Sequence, residues 1–215
     1  MNASRKTAVL VDFGGVITTS VLGAFREFGT ALGDAELPIR LLSGDAASKS
    51  LLAEHEAGRI DASTFEEGFA QRLRDHGVRV ETSGLTERMQ AGLRPDPETI
   101  AMLTRLRAAD VPIALVSNAF GRDTYRGFDL DELADVSVIS AEVGVRKPSR
   151  RIFEIACEHL GVPPTLAVMI DDLQQNLDGA ARLGIDGILH TDGASTAREL
   201  SSRFGFPATG AGVRV

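Results

Sequence analysis

A run of four apolar residues, 8–11, ends at the carboxylate of Asp12 and is soon followed by Gly14 and Gly15. An apolar run without alternation predicts a parallel β-strand that is covered on both faces. Asp12 then lies at the carboxyl end of the strand, which is the edge where open α/β sheets bind ligands. The glycines allow the chain to turn sharply and to approach a bound group closely. Asp12 is therefore a candidate catalytic residue, although an Asp that only caps the next element gives the same pattern.

Apolar runs alternate with segments of helical periodicity over the second half of the chain. Strands that alternate with helices in this way form right-handed βαβ units, and such units build a parallel sheet. The predicted fold class is therefore α/β with a doubly wound parallel sheet. The further strands are predicted at 112–116, 136–140, 166–170 and 185–189, and the helices at 97–109, 149–160, 173–183 and 195–204.

The segment 19–94 has mostly helical patterns and no convincing strand pattern. One of its helices is predicted to begin with a capping box, because Ser63 is followed three residues later by Glu66. We interpret the segment as a helical cap domain. It is inserted into an α/β core domain that comprises 1–18 and 95–215.

The composition argues against several functional classes. There are 23 Lys and Arg against 30 Asp and Glu, the net charge is −7, and no basic run compensates for it. A nucleic-acid-binding surface is therefore not expected. The single cysteine, Cys157, cannot form an internal disulfide and is expected in the core. The single cysteine fits a reducing cytoplasm, and no apolar run reaches the ~18 residues of a membrane span. We therefore expect a cytoplasmic protein without a membrane or nucleic-acid partner.

Polar groups follow three of the predicted strands, and a lysine lies in a turn before a helix. Because the carboxyl ends of parallel strands share one edge of the sheet, these groups are expected to form one site. Crowded carboxylates repel each other unless a cation neutralises them, and oxygen ligands favour Mg²⁺ together with a substrate phosphate. Lysine and hydroxyl donors suit the phosphate oxygens. The groups are Asp12, Ser117, Asn118, Lys147, Asp171 and Asp172.

Four short motifs occur in order along the chain: V-D-F-G-G-V at 11–16, V-S-N at 116–118, G-V-R-K-P at 144–148 and M-I-D-D at 169–172. Together they resemble the motifs of the haloacid dehalogenase (HAD) superfamily. Each motif alone is weak, but together they account for nearly the whole predicted core. The resemblance implies a Rossmann-like core with strand order 3-2-1-4-5 and a small helical cap. Residues 56–61 with Phe65 are similar to the cap of the subgroup that contains the phosphatase domain of soluble epoxide hydrolase and bacterial sugar-phosphate phosphatases.

The resemblance also implies a role for each residue of the predicted site. Asp12 is the implied nucleophile, which attacks phosphorus and forms an aspartyl-phosphate. The implied Mg²⁺ ligands are Asp12, the backbone carbonyl of Gly14 and Asp172, and Asp171 is implied to hold a metal-bound water. The groups implied to bind the transferring phosphoryl group are Ser117, the backbone of Asn118, and Lys147.

Gly14 departs from the family pattern, in which most phosphatases have a second aspartate two residues after the nucleophile. That aspartate protonates the leaving group and activates water, and such help is worth ~10²- to 10⁴-fold in rate. Gly14 keeps the metal-binding carbonyl and lacks the acid. Hydrolysis is then expected to be slow, to be restricted to good leaving groups, or to be assisted by another group. His55 of the cap is a candidate for that assistance, although an exposed helix histidine is the simpler expectation.

Three other functions are compatible with parts of this pattern. The 2-haloacid dehalogenases attack carbon without a metal, and the pair Asp171-Asp172 argues against them. Phosphonatases use a cap lysine that forms a Schiff base. Lys49 is the only lysine in 19–94, and its surroundings are typical of a solvated helix residue. A catalytically impaired relative that binds a phosphorylated ligand or a partner protein is the main non-enzymatic alternative.

The main prediction is a Mg²⁺-dependent phosphatase that hydrolyses a small phosphomonoester through an aspartyl-phosphate on Asp12. The predicted partner is a small phosphorylated metabolite, over which the cap closes to exclude water. A monomer or a homodimer is expected.

Overall fold

Five strands form a single parallel sheet in the computed structural model, which describes residues 6–121 and 124–204. The strands are β1 (Ala8–Val11), β2 (Ile113–Ser117), β3 (Val136–Ile139), β4 (Ala167–Asp171) and β5 (Asp186–Leu189). Their order is β3-β2-β1-β4-β5, and each neighbouring pair is parallel. The predicted α/β class and strand order are confirmed. The end of the predicted core, 205–215, lies outside the described residues.

Five helices lie between β1 and β2, in the segment predicted as the cap. They are α1 (Val21–Ala31), α2 (Leu37–Gly44), α3 (Ala46–Glu56), α4 (Ala62–Asp75) and α5 (Leu85–Gln90). The helices share an apolar cluster that includes Phe25, Phe65 and Phe69. An antiparallel bridge between Thr18 and Pro95 joins the two ends of the segment. The segment is helical as expected, and its division from the core as a separate domain stays a prediction.

The start of α4 differs from the predicted capping box. Asp61 caps the helix, because its carboxylate accepts hydrogen bonds from the backbone N–H of Thr64 at 2.8 Å and from the hydroxyl of Ser63 at 2.9 Å. Glu66 turns instead toward α5, where it accepts from the backbone N–H of Thr86 at 2.9 Å and from its hydroxyl at 2.7 Å. The capping-box prediction was wrong because an Asp, which is a strong N-cap residue, stands two residues earlier.

Within the described residues, six further helices belong to the predicted core. Cys157 is buried, as expected. None of the described helices combines the length and the apolar character that crossing a membrane requires. The six helices are α6 (Pro97–Ala108), α7 (Leu130–Leu133), α8 (Ser140–Val143), α9 (Arg150–Leu160), α10 (Gln174–Ala181) and α11 (Gly193–Phe204).

The central strand β1 buries side chains on both faces of the sheet. Val9 and Val11 belong to an apolar cluster with Leu103 of α6. Leu10, which points the other way, belongs to the opposite cluster with Phe153 of α9. Because helices cover both faces, the whole strand is apolar and inaccessible to water. The chain becomes polar only beyond the carboxyl end of the strand.

Candidate active site

The carboxyl edge of the sheet carries polar residues from three strands and one loop. Asp12 follows β1 directly, Ser117 is the last residue of β2, and Asp171 is the last residue of β4. One carboxylate oxygen from each of Asp12, Asp171 and Asp172 lies within 4.8 Å of the others. Lys147 reaches the carboxylates of Asp12 and Asp171 from the loop between α8 and α9. The candidate residues therefore meet at one place, as the parallel sheet predicted.

Asp12 and Asp171 share the buried ammonium group of Lys147. Nζ of Lys147 lies 2.6 Å from Oδ1 of Asp12 and 2.8 Å from Oδ2 of Asp171, and its side chain is 1% exposed. Burial raises the pKa of Asp12 to about 7, although the ammonium acts in the opposite direction. Burial alone would lower the pKa of Lys147, but the two carboxylates hold it above its ordinary value. The lysine therefore stays charged and neutralises one carboxylate.

Asp171 is completely buried, and both of its oxygens are bonded. Oδ2 accepts a hydrogen bond from Lys147, while Oδ1 accepts from the backbone N–H of Leu173 at 2.9 Å and from Nδ2 of Asn176 at 2.8 Å. Asn176 lies in the first turn of α10, so the helix start and the end of β4 are joined through this carboxylate. The bonds fix Asp171, and through it they fix the ammonium of Lys147.

Asp172 lies against the backbone of Gly15. A Cβ atom at position 15 would lie 2.3 Å from Oδ2 of Asp172, and Gly15 has a φ of +81°. The positive φ favours glycine at this turn, and a side chain here would have to displace the carboxylate of Asp172. Burial, together with the charge of Asp171, raises the pKa of Asp172 to about 6.

The carboxylate cluster fits a divalent cation. Three carboxylates face one ammonium, so an excess of negative charge is held in a largely buried place. A cation would relieve the repulsion that contributes to the raised pKa values of Asp12 and Asp172. The donors are all oxygens, which favours Mg²⁺. The carboxylates of Asp12 and Asp172 and the carbonyl of Gly14 are the candidate ligands.

Ser117 and Asn118 are held by residues outside their strand. Tyr125 donates its hydroxyl to Oγ of Ser117 at 2.9 Å. The side chain of Asn118 accepts from the backbone N–H of Lys147 at 2.8 Å and donates to its carbonyl at 3.3 Å. Asn118 thus ties the loop that carries Lys147 to the end of β2. The sequence suggested only a backbone role for Asn118, and the side chain adds a positioning role.

Glu56 and Arg146 form a charged pair that was not predicted from the sequence. Glu56 ends α3, and its Oε2 lies 2.5 Å from Nε of Arg146 and 3.5 Å from Nδ2 of Asn118. Burial raises the pKa of Glu56 to about 7, and Arg146 and Lys147 partly offset this effect. Both residues lie in stretches that resemble the family. Nothing in the local pattern indicated their pairing, because it joins a helix of the predicted cap to a loop of the predicted core.

A cavity of about 740 Å³ opens beside this cluster. Side chains of α1, α2 and α3 line it opposite the sheet edge. Glu56 and Arg146 are also among its lining residues. Asp171 lies behind the surface, because it is fully buried. The predicted site residues that line the cavity are Asp12, Gly14, Ser117, Asn118, Lys147 and Asp172.

His55 is buried, which contradicts the expectation of an exposed helix residue. Its ring stacks on Phe65 with centroids 4.8 Å apart, and its Nε2 accepts a hydrogen bond from the backbone N–H of Gly121 at 3.1 Å. Burial lowers its pKa, which favours the neutral ring. His55 does not line the cavity, so the structure gives no support to its suggested acid–base role. Lys49 is exposed as expected and lines the cavity.

A comparison with known protein families agrees with this geometry. A family model described as haloacid dehalogenase-like hydrolase matches residues 6–184. The chain belongs to the haloacid dehalogenase-like hydrolases. The match spans β1, the helical segment and the strands up to β4, so the identification does not depend on one motif.

Curated relatives of this HAD-like hydrolase differ in length and activity. The sesquiterpene phosphatase astK of Aspergillus oryzae is 23% identical over 92% of this chain and 96% of its own length. Mouse acyl-CoA dehydrogenase family member 10 is 34% identical, but the match covers 52% of this chain and 11% of that protein. The chain spans about half or less of several other relatives, which include phosphatases and (S)-2-haloacid dehalogenases.

Solved structures of HAD-like hydrolases have the same fold. A HAD family enzyme from Bacteroides thetaiotaomicron, solved with magnesium and inorganic phosphate, has a TM-score of 0.63. It is 22% identical to this hydrolase, and the comparison covers 87% of this chain and 96% of that one. At this level of identity the similarity concerns the fold.

Proposed function

We propose that this HAD-like hydrolase is a Mg²⁺-dependent phosphatase that acts on phosphomonoesters through a covalent aspartyl-phosphate. The observation that carries the proposal is the cluster of Asp12, Asp171 and Asp172 around one buried lysine, beside a cavity large enough for a metabolite. The phosphatase relative that matches nearly the whole chain adds support. The Bacteroides thetaiotaomicron enzyme of the same fold, whose structure contains magnesium and inorganic phosphate, adds further support.

Asp12 is the proposed nucleophile. Its Oδ1 accepts hydrogen bonds from the backbone N–H of Phe13 at 2.6 Å and from Lys147, and these contacts orient the carboxylate. The carboxylate attacks phosphorus, the P–O bond to the alcohol breaks, and the departing alkoxide takes a proton from solvent. Water then attacks the aspartyl-phosphate and releases inorganic phosphate. When Mg²⁺ is bound, it supplies positive charge to the phosphoryl oxygens during both displacements.

Ser117 and Lys147 are the proposed donors to the phosphoryl group. Tyr125 fixes the hydroxyl of Ser117, and Asn118 fixes the backbone of Lys147. Because these groups are held before a substrate binds, little reorganisation is needed in the transition state. Asp171 acts by positioning the lysine, and Asp172 is proposed as a metal ligand.

A phosphoryl-binding protein without turnover is the second candidate, and the observation that favours it is Gly14. This position has no side chain to protonate the leaving group or to activate water. Such a protein would bind Mg²⁺ and phosphate without releasing product. A metal-independent dehalogenase would have no use for the three-carboxylate cluster.

The two candidates and the dehalogenase alternative separate in one set of assays. Phosphate release is measured from a panel of monoesters that includes p-nitrophenyl phosphate, with Mg²⁺ and with a chelator, and chloride release is measured from 2-chloropropanoate. We expect phosphate release that requires Mg²⁺ and is lost in Asp12→Asn. Binding of Mg²⁺ and phosphate without turnover would favour the second candidate. Chloride release without metal would overturn the phosphatase proposal.

A further inference from the structure

We infer that the alcohol part of the substrate is apolar, so that the preferred substrates are alkyl, prenyl or aryl phosphates. The inference rests on the proposed function and names its substrate class. Side chains of α1, α2 and α3 form the cavity wall opposite the site, and most of the large ones are hydrocarbon. Representative members are Val21, Leu22, Phe25, Ile39, Leu42 and Leu52.

The apolar wall reaches the immediate surroundings of the nucleophile. A Cβ atom at Gly14 would lie 2.7 Å from Cγ2 of Val21. Val21 therefore occupies the space next to the position where other family members have their acidic side chain. The atoms of the alcohol that lie near the phosphoryl group then meet a hydrocarbon surface.

Two exposed leucines add apolar surface to the lining of the cavity. Among the described residues, three large apolar side chains are exposed, and two of them, Leu22 at 37% and Leu173 at 36%, line this cavity. Leu22 lies on α1 in the predicted cap, and Leu173 lies in the turn before α10 in the predicted core. Exposed apolar residues that cluster around a cavity indicate a binding surface for an apolar ligand.

Polar side chains along the wall are largely used inside the protein. Ser43 donates its hydroxyl to the carbonyl of Ile39 at 2.7 Å. Gln90 and Thr124 each donate to the carbonyl of Phe120 at 2.5 Å. A sugar or a nucleoside would lose hydrogen bonds to water on entering and would find few donors in return. The exposed polar residues of the lining are Ser43, whose hydroxyl is already used, and Lys49, Ser50 and Gln175.

Binding of alkylphosphonates in the presence of Mg²⁺ tests the inference without turnover. The probes are methyl-, butyl- and octylphosphonate, with 2,3-dihydroxypropylphosphonate as a hydroxylated comparator of similar size to butylphosphonate. We expect affinity to rise about three- to fourfold for each buried methylene, until the cavity is filled. The hydroxylated compound should bind at least about tenfold more weakly than butylphosphonate. Equal affinities, or a preference for the hydroxylated compound, would overturn the inference.

A matched pair of surface variants tests whether this cavity causes the dependence of affinity on alkyl chain length. Leu22→Gln places a polar group in the lining of the cavity, and Leu189→Gln makes the same change at the third exposed site, which lies on β5 and outside the cavity. The octyl-to-methyl affinity ratio should fall several-fold in Leu22→Gln and stay unchanged in Leu189→Gln. Equal ratios in both variants would overturn the inference.

The failure of the inference and the failure of the proposed function give different results. Chain-length-dependent binding without hydrolysis of any monoester would support the apolar ligand and contradict the phosphatase. Hydrolysis of monoesters without chain-length-dependent binding would support the phosphatase and contradict the apolar ligand. If no phosphonate binds with Mg²⁺, the inference is overturned, and the proposed function is overturned with it when no monoester is hydrolysed either.

Discussion

Gly14 has no acidic side chain, and a neighbouring side chain occupies the volume that one would need. Gly14 lacks the carboxyl that assists both steps of hydrolysis in related phosphatases, and Val21 fills the adjacent volume. An aspartate at this position would clash with a β-branched side chain, which has little rotamer freedom to move away. The two residues therefore have to change together.

The double substitution Gly14→Asp with Val21→Ala should raise the hydrolysis rate of alkyl phosphates. The new carboxyl can protonate an alkoxide leaving group, an effect worth ~10²- to 10⁴-fold in rate. The gain in kcat/KM, which reports the steps up to departure of the leaving group, should be small for p-nitrophenyl phosphate, whose leaving group needs no proton. The measurement is kcat/KM for both substrates, with Val21→Ala as the control. Equal gains for the two substrates would show that the new residue does not act as an acid.

Residues that follow strands could be predicted, and residues that meet through tertiary packing could not. Asp12, Ser117 and Asp171 lie at one edge because each ends or follows a parallel strand, and the sequence contains that information. Glu56 pairs with a residue ninety positions later, and its raised pKa comes from burial that no local pattern reveals. His55 was mispredicted for the same reason, since its aromatic neighbours come from other elements.

The end of α3 connects the helical segment to the rest of the chain. His55 accepts from the backbone N–H of Gly121, and the hydroxyl of Ser140 donates to the carbonyl of Glu56. At Gly58 the backbone passes so close to residue 141 that a Cβ atom would lie 2.4 Å from the carbonyl oxygen of Ala141. This contact segment, residues 55–58, places Glu56 at the cavity.

Gly58→Ala should be more destabilising than Gly77→Ala. Both glycines have positive φ, +69° and +82°, so both substitutions carry the conformational cost of a left-handed alanine. Position 77 has open space, whereas position 58 meets Ala141. We expect the Gly58 variant to lose about 1–3 kcal/mol more free energy of unfolding. Chemical denaturation measures the difference. Equal losses would mean that the close approach at residue 141 is absent in solution.

The sequence pattern predicted which segments are helices and which are strands, but it did not predict every helix end. Unbroken apolar runs predicted β1, β2 and β4, which are buried along their whole length. The edge strands β3 and β5 have mixed sequences and are partly accessible. The start of α4 was misjudged because Ser63 and Asp61 are both plausible caps, and the choice depends on where Glu66 finds donors. Those donors lie on α5, twenty positions away in the chain.

The fold brings the carboxylates of Asp12, Asp171 and Asp172 together at one largely buried place. Burial raises the pKa of Asp12 to about 7 and that of Asp172 to about 6, from an ordinary value of 3.8. A carboxyl whose pKa is raised on folding stabilises the fold in its protonated form. That contribution is fully present below the ordinary pKa, and it is lost as the pH rises through about 6 to 7. Above pH 7, these two carboxyl groups therefore contribute least to the folding stability of the metal-free protein.

Mg²⁺ should therefore stabilise the protein more at pH 8 than at pH 5. The ion binds the ionised carboxylates, and protons compete with it at low pH. The measurement is the increase in melting temperature on adding Mg²⁺ across this pH range. Asp12→Asn, which removes one ligand and one titrating group, should reduce both the increase and its pH dependence. A shift that is the same at all pH values would contradict the assignment of the cluster as the metal site.

Trapping the covalent intermediate tests the central claim most directly. The protein with Mg²⁺ is mixed with p-nitrophenyl phosphate and quenched in acid, and its peptides are analysed by mass spectrometry. Because Gly14 offers no base for the second step, the aspartyl-phosphate should accumulate. We predict a mass increase of one HPO₃ unit on the peptide that contains Asp12, sensitive to hydroxylamine and absent in Asp12→Asn. Turnover without this adduct in wild-type protein, or with an adduct on another residue, would contradict Asp12 as the nucleophile.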